Sequence, residues 1–211
     1  MKEFDELIEI SNRLNDPEHG CPWDVIQNFE TLQKYILEEA CELVDAVEDH
    51  DLTGMIEELG DLLYVVIFYC KVAERQQNFS IENVLNVLKE KLVRRHPHVF
   101  NKSLDMSPKE VEKQWDIIKK EEKKERKSAL EGIPRSLSIL AKTQKVLSKL
   151  IEHELFDLQK ITATHPAQED IGNRILRLVL EAEKEGLNAE KLLRKALSCY
   201  EESFKEWEKG N

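Results

Sequence analysis

The sequence predicts an all-α protein. Apolar residues recur at i, i+4 and i+7 spacing in one segment after another, only seven Gly and six Pro interrupt 211 residues, and Leu, Glu and Lys abound. The expected architecture is a helical bundle. Leu7, Ile10 and Leu14 mark a first helix that ends before Asp16-Pro17, and Gly20-Cys21-Pro22-Trp23 reads as a turn. Over 31–49, Leu32, Ile36, Ala40, Leu43 and Val47 form one stripe, as an amphipathic helix requires. A short polar link around His50-Asp51 and Thr53-Gly54 leads to a second helix over about 55–75, and so short a link makes the two helices antiparallel neighbours. A helix over 81–95 stops at Pro97, which disfavours helical geometry in the residue before it. Residues 101–107 read as a loop. A further helix over 108–126 ends in the charge run from Lys119 to Lys127, which suits a solvated face or a link. Gly132-Ile133-Pro134 is a natural break, after which helical patterning returns at 135–152, 168–186 and 188–208. Two regions follow from this, 1–126 and 127–211.

The formal net charge is −11, and it is not spread evenly. Between Glu38 and Asp61 stand ten acidic residues and no Lys or Arg, while the rest of the chain carries 32 acidic and 31 basic residues. Such a balance gives no general footprint for a nucleic-acid backbone. The longest apolar run, Leu62 to Cys70, is too short to span a bilayer, and MKEFDELIEI is acidic and amphipathic, unlike a signal peptide. Cys21, Cys41, Cys70 and Cys199 lie far apart with no CxxC pair. Reduced thiols in a cytoplasm, buried as small apolar side chains, are expected.

The acidic window contains the pattern that carries chemistry. Glu39 and Glu42 share a face of the first long helix, and Glu58 and Asp61 share a face of its antiparallel neighbour, because residues three apart on a helix point the same way. Glu39 sits about 60° from the apolar stripe of its helix and so borders the core. The face of Glu58 and Asp61 runs on into Val65 and Phe68, so it is expected to be buried a turn further on. Carboxylates that converge there repel one another and cost desolvation energy, and the window holds no cation to offset it. A divalent ion would, and an all-oxygen ligand set suits Mg²⁺, Mn²⁺ or Ca²⁺ rather than zinc. A di-iron site pairs Glu with His at i+3, and none of the six histidines has a Glu three positions earlier. The remaining acids, Asp45, Glu48, Asp49 and Asp51, suit a solvated face.

A metal of this kind commonly meets phosphate. Lys91, Arg94 and Arg95 close the helix at 81–95, where cations either hold phosphate oxygens or simply complement a helix C-terminus. Trp115 and Lys119, one turn apart, offer a ring and a further charge, with core packing an equal reading for Trp115. A faint internal echo lies downstream. Glu58-Leu-Gly-Asp61 is answered by Asp170-Ile-Gly-Asn173, and Asn78 to Leu85 by Gly186 to Leu193, with the basic positions lost.

Cys21-Pro22-Trp23-Asp24, Glu38-Glu39-x-x-Glu42, Glu57-Glu58-Leu-Gly-Asp61-Leu-Leu and Arg94-Arg95-His96-Pro97-His98-Val99-Phe100 occur in this order and together resemble the MazG family of nucleoside triphosphate pyrophosphohydrolases. The resemblance covers 1–126 densely and makes 127–211 look like a shortened, degenerate second copy. It implies an all-α unit completed by dimerisation, a homodimer or higher homo-oligomer, and Mg²⁺-dependent hydrolysis of a nucleoside triphosphate to the monophosphate and pyrophosphate. Mn²⁺ would be a substitute ion. By the same resemblance Glu39, Glu42, Glu58 and Asp61 are metal ligands, Glu38 and Glu39 the catalytic candidates with Glu38 orienting water, and Lys91, Arg94, Arg95, Trp115 and Lys119 contact nucleotide. The eroded second copy leaves an alternative, a catalytically silent nucleotide-binding or protein-interaction module.

Overall fold

The computed structural model describes residues 1–101, 105–126, 128, 130–152 and 171–210. Among these the regular elements are all helical: α1 (Lys2–Leu14), α2 (Pro22–Val25), α3 (Phe29–Glu48), α4 (Leu52–Arg75), α5 (Ile81–Arg95), α6 (Pro97–Phe100), α7 (Pro108–Glu122), α8 (Ile139–Glu152), α9 (Ile171–Lys184) and α10 (Ala189–Gly210). The chain divides into two compact units, Met1–Lys119 and Lys120–Asn211.

In the first unit α3 and α4 form the central antiparallel pair, with α1 and α5 packed on α4. Local chemistry sets the ends of these helices. Asn28 caps α3 by accepting from the Thr31 N–H at 2.9 Å, while its own N–H donates to Thr31 Oγ1 at 2.9 Å. His50 takes the left-handed conformation, with φ of 57°, so that the chain reverses at once. Asp51 then caps α4 by accepting from Thr53 and Gly54 at 3.0 and 3.1 Å. That cap starts the helix at Leu52, three residues before the expected 55. Between α1 and α3 the expected turn contains a one-turn helix, because Pro22 at its first position is pre-set for helical φ. Helix α5 ends at Arg95 before Pro97, as expected, and Pro97 opens the short α6. The core is Leu32, Phe68 and Val72, with Phe29, Tyr35, Tyr64 and Tyr69 packed around it.

The second unit packs α8 against α9 and α10 around Leu147, Val179, Ala182 and Ala189. Gln144 ties the α9–α10 turn down, donating to Leu187 O at 2.6 Å and accepting from the Ala189 N–H at 2.9 Å. Gly186, at φ of 71°, ends the preceding helix, and the Leu187 N–H returns to Ala182 O at 2.8 Å. Helix α8 begins at Ile139 rather than 135, with Ser138 Oγ accepting from the Ala141 N–H at 3.2 Å. Residues 102–104 of the expected loop, 168–170 of the expected helix and Asp170 of the echo lie outside the described residues.

Two expectations are corrected. Helix α7 ends at Glu122, and Lys123 to Glu125 form a turn. Burial of all four thiols fails: Cys70 is buried, Cys21 half-buried, and Cys41 and Cys199 are exposed, although all four are unpaired. Cys41 fails because α3 is apolar beyond the stripe that faces α4, with Leu37 and Val44 also exposed one turn to either side of it.

Candidate active site

Antiparallel packing of α3 on α4 brings together carboxylates that lie far apart in sequence. Oxygens of Glu39, Glu58 and Asp61 all lie within 4.8 Å of one another. Glu58 Oε2 is shut off from solvent and has no hydrogen-bond partner among the described residues. Its carboxyl is held above the usual range first by desolvation, then by Glu42, Glu57, Asp61 and Glu39. Glu39 is raised in the same way, by desolvation, then Asp61, Glu42 and Glu38. Among the described residues neither Lys nor Arg forms an ion pair with any of the three to offset this repulsion. Glu42 stands outside the close triple but acts on both raised groups. Glu38 is exposed beside them. The set offers only hard oxygen donors and lacks only positive charge, so its chemistry fits a divalent cation of the Mg²⁺ class.

Two of these carboxylates, Glu39 and Asp61, rim a cavity of about 150 Å³ whose other lining residues are Trp23, Leu32, Tyr35, Tyr64, Val65 and Phe68. Trp23 meets Tyr35 edge-on at 5.7 Å and leans on Phe68 at 6.2 Å. Val65 and Phe68 are buried, as the face of Glu58 and Asp61 implied. The Tyr64 hydroxyl, pushed up to about 12 by desolvation and then by Asp24 and Cys21, stays neutral. An aromatic floor with an acidic rim can hold a planar ring and a metal-bound anion side by side. The sequence reading missed Tyr35 and Tyr64 and used Trp23 only as part of a motif.

The cationic candidates lie on α5 and α7 rather than on the helices that carry the carboxylates. Lys91 and Arg95 are half-buried and Arg94 is exposed. Trp115 takes the ring of His96 edge-on at 5.2 Å, with Lys119 Nζ 5.7 Å from its own ring centre. Lys119 also pairs with Asp116 at 3.6 Å, and His98 Nδ1 lies 2.8 Å from Gln114 Oε1. The Trp115 Nε1–H is buried without an acceptor among the described residues.

Residues 27–100 match the family profile described as the MazG nucleotide pyrophosphohydrolase domain. The chain is 35% identical over 232 aligned residues to the nucleoside triphosphate pyrophosphohydrolase of Escherichia coli K12, covering 99% of this chain and 88% of that protein. The chain belongs to the MazG family. A second MazG relative, the nucleoside triphosphate pyrophosphohydrolase/pyrophosphatase MazG of Thermotoga maritima, is 35% identical over 229 residues, or 99% of this chain and 88% of that protein. A crystal structure of a MazG-related protein from Thermotoga maritima aligns at 33% identity and a TM-score of 0.48, covering 55% of this chain and 98% of that one. The matched MazG segment runs from the cap of α3 to the end of α6, so it contains all four carboxylates with Lys91, Arg94 and Arg95, and excludes Trp23, Trp115 and Lys119.

Proposed function

We propose that this chain hydrolyses nucleoside triphosphates to the nucleoside monophosphate and pyrophosphate, acting on acid anhydrides to clear surplus or noncanonical nucleotides. One observation carries the reading: three carboxylates from two helices lie within 4.8 Å of one another with no ion-pair partner among the described residues, and two of them, Glu39 and Asp61, rim an aromatic cavity. Glu39, Glu58 and Asp61, with Glu42 beside them, would hold Mg²⁺, with Mn²⁺ a substitute. A bound ion of that kind neutralises charge on the triphosphate oxygens.

The protein's own groups do the rest. Trp23, Tyr35 and Phe68 receive the nucleobase and fix the nucleotide's orientation at the acidic rim. Lys91, Arg94, Arg95 and Lys119 offset the remaining phosphate charge, and Trp115 adds a ring to the nucleotide contacts. Glu38 is exposed beside the triple and free of its close packing, so it orients the attacking water and takes its proton. The water oxygen bonds to the α-phosphorus, the bond from that phosphorus to the α,β-bridging oxygen breaks, and pyrophosphate leaves with the electron pair.

The catalytic domain is assigned to 1–126 and a degenerate MazG copy to 127–211. An apolar row on α4, Leu52, Ile56, Leu59 and Leu63, is exposed in the single chain beside Glu58 and Asp61, and supports assembly as a homodimer or higher oligomer. Unpaired thiols fit a reducing cytoplasm. Pyrophosphate release from a panel of nucleoside triphosphates, with Mg²⁺ and with chelator, tests the activity. Release that needs the metal and disappears in Glu39→Gln and Glu58→Gln is expected. Nucleotide binding without turnover would favour the silent module instead, a reading to which the loss of acid at Asn173 lends weight.

A further inference from the structure

Trp23 is an exposed aromatic residue, 47% accessible, in the one-turn α2 between α1 and α3, and the backbone around it is hydrogen-bonded to its neighbours. Arg75, the last residue of α4, closes a fork over the end of α2. Its Nη1 donates to Asp24 O at 3.3 Å and to Val25 O at 2.7 Å, and its Nη2 donates to Gln27 O at 2.8 Å. Asp24 O also accepts from the Gln27 N–H at 3.2 Å, whereas the carbonyls of Val25, the last residue of α2, and of Gln27 lie where the one-turn helix supplies no N–H of its own. From the other side the Gln27 side chain donates to Trp23 O at 2.9 Å, and the Cys21 N–H donates to Leu14 O at 2.8 Å. Gly20 is held so closely against α1 that a Cβ there would lie 2.4 Å from Leu14 O.

The fork has a consequence beyond capping. Helix α4 also carries Glu58 and Asp61, two of the three close carboxylates, and with Asp61, Tyr64 and Phe68 it supplies part of the cavity lining. Arg75 therefore ties the segment that carries Trp23 to the helix that carries Glu58 and Asp61. We propose that Arg75 positions Trp23 for nucleobase binding, and that this fork, without touching the nucleotide, sets how tightly the site holds a base relative to a bare phosphate chain. The inference rests on the reading of the cavity as a nucleobase pocket. A planar guanidinium suits the role because it serves three acceptors at fixed angles, whereas an ammonium is a single point donor.

Calorimetric titration of the full chain with nucleoside monophosphates, and separately with inorganic pyrophosphate in Mg²⁺, tests it in wild type, Arg75→Gln, Trp23→Ala and the double variant. Base stacking on an aromatic ring predicts about a tenfold loss of monophosphate affinity in Trp23→Ala. Arg75→Gln should show a loss of similar size, pyrophosphate binding should stay within about twofold of wild type, and the double variant should be no weaker than Trp23→Ala alone. If the two losses multiply in the double variant, Arg75 acts independently of Trp23 and the proposal is overturned. An Arg75→Gln protein that binds monophosphates normally while Trp23→Ala does not overturns the positioning role alone. Unchanged binding in Trp23→Ala overturns the nucleobase pocket and the proposal with it. Should Arg75→Gln not fold, Arg75→Lys takes its place, with a partial loss confined to ligands that carry a base expected and an equal loss for pyrophosphate overturning.

Discussion

Glu39 on α3 and Glu58 on α4 present carboxylate oxygens within 4.8 Å of each other, and both carboxyls are held above their ordinary range, chiefly by desolvation and then by the acids around them. Two like charges kept this close without a cation destabilise the fold that brings them together. Selection for stability alone removes such a pair; binding a cation gives a reason to keep it.

The raised carboxyls make stability depend on pH. A carboxyl whose folded-state pKa lies above its unfolded value contributes stability that is fully present below the unfolded pKa and lost as pH rises through the folded one. In chelator, wild type should therefore lose stability relative to Glu58→Gln as pH climbs from the ordinary carboxylate range, near 4.5, towards neutrality. Thermal unfolding of both proteins across that window reads the difference. A gap that stays constant with pH would show that Glu58 ionises without strain.

Metal addition should reverse the penalty. At neutral pH, Mg²⁺ at a hundred times its dissociation constant should raise the Tm of wild type by roughly 5 °C or more, since ligand that binds only the folded state stabilises by mass action. Glu58→Gln and Asp61→Asn should show little of that rise. Each should also lower kcat/KM by about a hundredfold or more. Glu38→Gln should lower kcat while leaving the Mg²⁺ concentration dependence in place, because Glu38 orients water and does not hold the ion.

Stability and activity should separate elsewhere. Asp51 caps α4 through two backbone N–H groups, about two turns before Glu58. Asp51→Ala should cost about 1 kcal/mol and lower Tm by about 2 to 4 °C. Pyrophosphate release at 25 °C should stay within about twofold of wild type, because no residue of the cavity or the carboxylate triple leans on Asp51. A loss of activity matching that of Glu58→Gln would mean that the register of α4 depends on its cap.

Much of this site was legible because helical spacing is a local property. Glu58 and Asp61 must share a face, Val65 and Phe68 must follow them inward, and the short link at His50 must fold α4 back along α3. The cavity was not legible in the same way. Tyr35, Tyr64 and Trp23 meet only after three helices have packed, and nothing in their spacing marks an aromatic wall. The Arg75 fork was hidden for the same reason, since its partners lie about fifty positions away and are backbone carbonyls with no sequence signature. The exposure of Cys41 does not follow from the stripe that faces α4, because α3 bears a second apolar face with Leu37 and Val44.

Helix α4 carries an exposed apolar row of its own. On α4, Leu52, Ile56, Leu59 and Leu63 recur at i, i+4, i+7 and i+11, and Ile56 is 75% exposed in the single chain. Such a row satisfies the packing rule for a helix that faces another helix. Burying one large aliphatic side chain contributes about 1.5 to 3 kcal/mol, and a two-fold interface counts each residue twice. Ile56→Asp should therefore weaken self-association by about two to four decades, before any cost of the introduced charge. Sedimentation equilibrium should find wild type as a dimer or larger at micromolar concentration and Ile56→Asp as a folded monomer. Leu59 and Leu63 flank Glu58 and Asp61 in sequence, so covering this row also dries the carboxylates and strengthens their hold on a cation. The monomeric variant should then need more Mg²⁺ for half-maximal pyrophosphate release, with the shift rising as protein concentration falls. A monomer with unchanged metal dependence would show that each chain's site is complete on its own.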